Sequence, residues 1–320
     1  MSFGRPYISA IEGCIHDGWL AISGFEGAFV ADFLYHLLRS TRIQAEFTRR
    51  AGSGTVRNLN ADIVKSVEIP APPIEVQREI VEILDKFTSL EAELDAELDA
   101  RRRQYEYYRD ALLTFAARER VRWLTLDAVG RWYGGGTPSK SVPEFWADGT
   151  VPWLSPKDMV VDTIATTADH VSEVALERSP LKLVPAGSVA VVVRSNILRR
   201  RMPVALVSVP MTLNQDMRAV VPNDGVLPEY LFQVCRANAD RILSSAGRTD
   251  GSMAAIQSKG LLEFAIPVPE MAEQRRITRA LSRFDALVND LSVGLPAELN
   301  ARRQQYEYYR DRLLTFAEAA

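Results

Sequence analysis

The sequence predicts an α+β fold in which β-rich domains are separated by two long helices that pair as a coiled coil. Three observations carry this. The heptapeptide QYEYYRD occurs twice, at residues 104–110 and 305–311. The stretches leading into both copies start just after proline-rich turns and carry apolar residues at steps of three and four, the period of a helix. The remainder alternates short apolar runs with glycine and proline, as strands joined by turns do.

At 320 residues the chain is long enough for about two domains, each with its own core. It is 47% hydrophobic and 25% charged, a globular balance. No apolar run approaches the roughly 18 residues of a membrane span, and the first residues lack the basic-then-apolar pattern of a signal peptide. A cytoplasmic protein with no membrane partner is expected. Cys14 and Cys235 stand far apart without CxxC spacing and read as buried thiols in a reducing compartment. His16, His36 and His170 show no metal-ligand spacing, so no metal site is expected. The net charge of -3 argues against a protein that coats DNA by charge alone. It leaves room for a local basic face: acidic residues crowd 91–99, whereas Arg199, Arg200 and Arg201 lie in a connecting segment.

The repeat extends far beyond the heptapeptide. Phe33, Leu34 and Tyr35 align with Tyr230, Leu231 and Phe232, and the same offset carries Arg39 onto Arg236, Gly54 onto Gly251, and Leu59 onto Ile256. It also carries Ile69 and Pro70 onto Ile266 and Pro267, Pro72 onto Pro269, Gln77 and Arg78 onto Gln274 and Arg275, and Pro6 onto Pro203. Residues 121 to about 201 have no counterpart in the first copy. Each copy reads as apolar strands, a helix (29–47; 228–243), a glycine-containing loop, a strand, a proline-rich turn and the long helix.

Prolines in IPAPPIEVQ and IPVPEMAEQ stop the preceding strand and preset the helix entry. From there the first apolar seam runs Ile80, Leu84, Phe87, Leu94, Leu98, Tyr105, Tyr108, Leu112 and Phe115. The second runs Ile277, Leu281, Phe284, Val288, Leu291 and Leu295, then Leu299, Tyr306, Tyr309, Leu313 and Phe316. Four extra residues in the second helix form a stutter that coincides with Gly294 and Pro296, so a bend or break is expected near 294–296. Each helix has a sticky face, and its nearest partner is its own duplicate. A helix of about 36 residues makes a rod of roughly 55 Å, which would set the distance between whatever it carries.

The most distinctive strings are WLTLDAVGRWYGGGTPSK at 123–140, VPWLSPKDM at 151–159 and PAGSVAVVVR at 185–194. With the Ile-Pro-x-Pro to Gln transition at 266–274 and both QYEYYRD helices, their order resembles the specificity (S) subunit of type I restriction-modification systems over nearly the whole chain. The resemblance implies two target recognition domains, each reading half of a split sequence in double-stranded DNA, held apart by two antiparallel conserved helices. It divides the chain into a partial first recognition domain (1–73), a first spacer helix (74–118), a complete second recognition domain (119–269) and a second spacer helix (270–320). It also implies methyltransferase (M) and restriction (R) subunits as partners. The departure lies in the first domain, which lacks the part where GGTPSK and PWLSPKD would sit. Either it is a truncated or rearranged product, or another polypeptide completes it.

Base edges carry the sequence information of DNA, and loops on a β-rich domain are suited to reach them. Gly135 and Gly136 allow close backbone approach, Thr137 and Ser139 offer hydrogen bonds, and Lys140 or Lys157 can neutralise phosphate. The glycine run serves equally as a tight turn between strands. Arg194, Arg199, Arg200 and Arg201 supply donors for guanine or phosphate and Asn196 can pair with adenine, although surface charge runs are often simply solvated. Arg248 and Thr249 rank lower, in a loop whose plain reading is a solvated turn. For the heptapeptide tyrosines, helical spacing and acidic neighbours favour packing over base stacking. Tyr105, Tyr108, Arg109, Tyr306, Tyr309 and Arg310 are therefore candidates for the coiled-coil core and for docking the methylation subunits.

No catalytic motif is present. A base methyltransferase needs a glycine-rich βα turn and an Asn/Asp-Pro-Pro-Tyr/Phe string, and a motor needs GxxxxGK[ST]; AGSGTVRN at 51–58 lacks the lysine. A non-catalytic subunit with no cofactor of its own is expected, and the resemblance assigns S-adenosylmethionine, ATP and Mg to partner subunits. The alternative is a defective subunit acting as a coiled-coil scaffold that assembles methyltransferase subunits without reading DNA.

Overall fold

Two glutamines fix where the long helices begin. In the computed structural model, which describes residues 3–51, 59–115, 121–248, 251–289 and 294–316, Gln77 is fully buried. Its carboxamide accepts from the Val30 N–H at 2.9 Å and donates to the carbonyls of Ala28 and Pro72, each at 2.8 Å. Gln274, at the same repeat position and also fully buried, accepts from the Leu227 N–H at 2.9 Å and donates to the carbonyls of Gly225 and Pro269, each at 2.8 Å. One carbonyl of the proline-rich turn and two backbone groups at 28–30 or 225–227 lack ladder partners, and one side chain a turn into the helix satisfies all three.

The first copy forms α1 (Ala31–Arg39), α2 (Thr41–Arg50), α3 (Ala61–Lys65) and α4 (Ile74–Leu113). The single helix expected over 29–47 breaks at Ser40, whose extended backbone and hydroxyl, accepting from Ile43 N–H at 3.5 Å, cap α2. Serine competes locally for donors that a continuing helix would use. Phe33, Leu37, Ile43 and Phe47 pack with Ile80, Leu84, Tyr306 and Leu314. The apolar strands expected on either side of these helices do not form among the described residues of the first copy.

The second copy forms β1 (Arg122–Thr125), β2 (Gly130–Gly134), β3 (Val151–Leu154), β4 (Thr163–Ile164), β5 (His170–Val171), α5 (Glu173–Arg178), β6 (Ser188–Val192), β7 (Val204–Val207), β8 (Thr212–Leu213) and β9 (Met217–Pro222). Then come α6 (Pro228–Ala237), α7 (Ala239–Ala246), β10 (Gly247–Arg248), β11 (Ala255–Ile256), α8 (Ser258–Leu262), β12 (Ala265–Val268), α9 (Met271–Asn289) and α10 (Leu295–Leu313). Here too the helix expected over 228–243 is two, dividing at Asn238. The main sheet has strand order β2-β9-β6-β7-β4; β3 pairs with β5 and β8, β10 with β11, and β1 with β12. All five residues of β6 are buried, as its unbroken apolar run requires of a strand covered on both faces. Tyr230 in α6 is fully buried and donates its hydroxyl to the Pro267 carbonyl at 2.9 Å. Of the two cysteines expected to be buried, Cys235 is, and burial pushes its thiol up to about 12. Cys14 is exposed.

The chain divides into two compact units, Met1–Arg102 with Ala286–Ala320, and Arg103–Asp285. Each unit therefore receives its QYEYYRD turns from the other copy. In the first unit Phe87 of α4 stacks on Tyr309 of α10 at 5.3 Å between ring centroids. Further along α4, Glu91 and Asp95 take Arg303 at 2.7 and 3.1 Å. Partners that advance along α4 retreat along α10, so the pair is antiparallel. In the second unit Tyr108 of α4 meets Phe284 of α9 at 5.6 Å, the same pairing with the copies exchanged. Helix α9 ends at Asn289 and α10 restarts at Leu295, with Gly294 at φ 88° as its N-cap and Pro296 in the first turn. A Cβ at Gly294 would lie 2.6 Å from the Leu287 carbonyl oxygen, so only glycine fits the approach. Residues 52–58, 116–118, Thr249 and Leu291 lie outside the described residues.

One part of the seam differs from expectation. Near the helix ends Leu113 and Leu314 are buried rather than Leu112 and Leu313, and Arg310 is buried as well. In the first unit the last turn packs against α1 and α2 instead of one facing helix, and the stripe moves to steps of four: Tyr306, Arg310 and Leu314, all buried, with Tyr105 and Leu113 buried and Arg109 half-buried at the matching positions.

Candidate nucleic-acid interface

The sequence-predicted loops of the second head, the part of the second copy from β1 to β12 that corresponds in the first copy to the residues ahead of α4, converge on the turn between β8 and β9. Gly135 follows β2 and runs so close to this turn that a Cβ there would lie 1.8 Å from the Asn214 carbonyl oxygen. Gly136 donates its N–H to the Leu213 carbonyl at 2.8 Å and accepts from the Trp153 indole at 3.0 Å. The Thr137 hydroxyl bonds the Gln215 side chain. Gly135 thus serves a close backbone crossing, and it places Thr137 and Gln215 together in solvent.

The same turn holds the arginine segment. Asp216 accepts the Arg194 guanidinium at 2.5 Å, and its carbonyl receives the N–H of Val193 at 2.8 Å. Beyond β6 the chain lies against β11: Ser195 N–H donates to the Ala254 carbonyl at 2.9 Å, and Arg194 bridges to Ala255. Ser195 caps a 3-10 turn over Asn196–Arg199 whose Leu198 is buried, leaving Asn196, Arg199, Arg200 and Arg201 exposed. Arg199 reaches the Gly251 carbonyl at 2.8 Å. Arg248 is exposed on β10, opposite Ala255 in the hairpin. Contacts therefore join Thr137, Gln215, Arg194, Asn196, Arg199 and the hairpin carrying Arg248 into one surface, while Arg200 and Arg201 are exposed on the chain that follows, Arg201 close enough to Asp162 to act on its carboxylate. Gln215 was not singled out in the sequence; the Asn-Gln-Asp run between two apolar strands is a turn signal, and turn tips are where readout groups sit.

Three further predicted residues lie differently. Ser139 shares a hydrogen bond with Ser141 at 2.7 Å, its carbonyl accepts from the Trp146 indole at 3.3 Å, and Lys140 beside it is exposed. Lys157, on a 3-10 turn capped by Ser155, is paired with Asp169 at 2.7 Å. That hydrogen bond raises its ammonium above the ordinary lysine range and offsets the charge a phosphate would use.

The heptapeptide residues separate into buried and exposed sets. Tyr105 is buried and donates its hydroxyl to Gln233 at 3.3 Å, with Arg236 over its ring at 5.8 Å. Tyr306 is buried against His36, with Arg39 and Arg310 over its ring at 5.4 and 5.5 Å. Tyr105, Tyr306 and Arg310 are therefore corrected from docking candidates to core, because they are enclosed within the chain. Arg109, half-buried, pairs with Asp110 at 2.9 Å. The aromatic surface that remains is Tyr107 with Tyr108, and Tyr308 with Tyr309, each an edge-on pair. Tyr107 is 70% and Tyr308 57% exposed.

His36 is buried, with Nδ1 2.8 Å from the Tyr306 hydroxyl and Nε2 3.1 Å from the Asp85 carboxylate. A carboxylate only accepts, so Nε2 carries the proton and Nδ1 takes the tyrosine's. Burial lowers His36 below its ordinary value, against the attraction of Asp85. Among the described residues no His, Cys, Asp and Glu cluster could hold a metal.

The pattern of the family described as Type I restriction modification DNA specificity domain matches residues 27–100 and 124–301. The chain belongs to this family. It is 50% identical over 257 residues to the Escherichia coli type I restriction enzyme EcoR124I/EcoR124II specificity subunit, covering 79% of this chain and 63% of that protein. The EcoprrI specificity subunit, also of Escherichia coli, is 32% identical over 62% of this chain and 51% of its own length. The chain thus spans less than two thirds of these two relatives. Among solved structures, the HsdS subunit from Thermoanaerobacter tengcongensis has the same fold at 19% identity, with a TM-score of 0.54 over 90% of this chain and 71% of that one. A chain from a structure of the assembly and conformational transition of a type I restriction-modification system gives a TM-score of 0.67 at 18% identity, over 88% of this chain and 70% of that one.

Proposed function

We propose that this chain is a non-catalytic DNA specificity subunit of a cytoplasmic type I restriction-modification complex. The second head reads half of a bipartite target in double-stranded DNA. The observation that carries this is the single surface on which the loop after β2, the β8–β9 turn, the 194–201 segment and the β10–β11 hairpin meet. Exposed arginines there supply phosphate contacts, while Gln215 and Asn196 have the donor-acceptor pairs that match adenine. The exposed tyrosine pairs on α4 and α10 are the proposed methyltransferase docking sites. Restriction subunits join that assembly, and S-adenosylmethionine, ATP and Mg belong to these partners.

A second reading is favoured by one feature, the absence of strands in the described first head: a scaffold that assembles methyltransferase subunits without reading DNA. Methylation mapping of host DNA after co-expression with the modification subunits separates the two. A defined bipartite motif supports the specificity subunit, and a stable complex that methylates no motif supports the scaffold.

A further inference from the structure

The first head lacks the neighbours with which the second head builds its sheet. At the repeat offset, β7, β8 and β9 fall on residues 7–10, 15–16 and 20–25, and β12 falls on 68–71. In the second head β7 lies between β6 and β4, β9 between β2 and β6, β8 beside β3, and β12 beside β1. Every one of those neighbours comes from residues 121–201, the stretch without a counterpart in the first copy. Strands β7 and β9 never pair with each other, because β6 separates them. Residues 7–25 consequently have no ladder to join and stay without strand structure. The backbone bond described between residues 5 and 24 is a turn, Trp19 N–H to the His16 carbonyl at 2.9 Å.

The side chains carry the same mark. Tyr7 and Ile8 are 61% and 49% exposed where Val204 and Ala205 are 9% and 0% exposed. Leu20 and Ile22 are 43% and 46% exposed where Met217 and Ala219 are fully buried. Cys14 is exposed at the position of buried Met211. Meanwhile the frame around the absent sheet is already set, since Gln77 makes the same three bonds as Gln274. An apolar segment with unpaired backbone beside a finished frame is a strand-accepting surface.

We propose that residues 7–25 and 68–71 dock a polypeptide outside these 320 residues that carries the front half of such a head, equivalent to 121–201, with its β6-like strand inserted between 7–10 and 20–25. The inference concerns the first copy and does not depend on what the second copy binds.

Cys14 is a built-in reporter, because the other cysteine, Cys235, is buried. In the 320-residue chain alone Cys14 should be alkylated rapidly by N-ethylmaleimide. Two arrangements supply the missing part using this chain's own residues 121–201: co-expression as a separate polypeptide, and fusion directly ahead of Arg5 at the repeat register. In at least one, Cys14 alkylation is expected to slow by about 100-fold or more and the amides of 7–10 and 20–25 to gain hydrogen-exchange protection. Leu20→Asp should restore fast alkylation in that arrangement. Unchanged alkylation and exchange in both arrangements overturns the proposal. So does slow, concentration-dependent alkylation of the chain alone, which would mean that a second copy covers the segment.

Discussion

Arg199, Arg200 and Arg201 leave a turn anchored by buried Leu198, so their exposure is built into the fold and their replacement should not disturb the core. The triple substitution to alanine is expected to weaken DNA binding about tenfold or more at moderate salt and to reduce the salt slope by about one for each phosphate that is no longer neutralised. Filter binding across a salt series measures both, while co-purification of the methyltransferase subunits should be unchanged. His36 makes a different prediction. Its lowered value means that the folded chain binds its proton less readily than the unfolded chain, so stability is greatest above about 6.5 and declines as pH falls from there toward the folded value. His36→Gln puts in the first copy the residue that bonds Tyr105 in the second, and should flatten this decline. Urea midpoints from pH 8 to 5 for both proteins test it; parallel curves would contradict the assignment.

At the scale of elements, the paired glutamines are the clearest structural trace of duplication. Gln77→Ala or Gln274→Ala leaves buried backbone groups unsatisfied and is expected to destabilise by about 2–3 kcal/mol, read from denaturant unfolding. In the sequence these residues are two aligned letters among many, because three backbone bonds, one to the proline-rich turn and two to the segment at 28–30 or 225–227, have no periodic signature. The long helices were legible, since steps of three and four and the flanking prolines act locally. The details at their ends were not: which of Leu112 and Leu113 is buried depends on the head against which the last turn packs. The helix breaks at Ser40 and Asn238 were missed for a related reason, as a cap becomes visible only when the next turn has somewhere else to go. Tyr107→Ala with Tyr308→Ala should reduce methyltransferase capture without altering thermal unfolding, whereas Tyr105→Ala should lower stability by about 3 kcal/mol or more.

At the scale of the whole molecule, each compact unit is finished by the other copy's terminal helix, so neither repeat is self-sufficient. The doubled sequence alone announces two spacers, and contacts such as Phe87 with Tyr309 and Tyr108 with Phe284 reveal the exchange. The candidate interface was partly legible. Its arginines and glycines stand out by composition, but Gln215 and the pairing of Lys157 with Asp169 are products of three-dimensional placement. Selection of bound sequences from a random DNA pool, using the chain assembled with methyltransferase subunits, tests the reading head most directly. One specified half-site should be enriched, and it should disappear with the triple arginine substitution while the complex stays assembled. An assembled complex that enriches no sequence, or the same half-site retained by the substituted protein, would contradict the assignment of this surface.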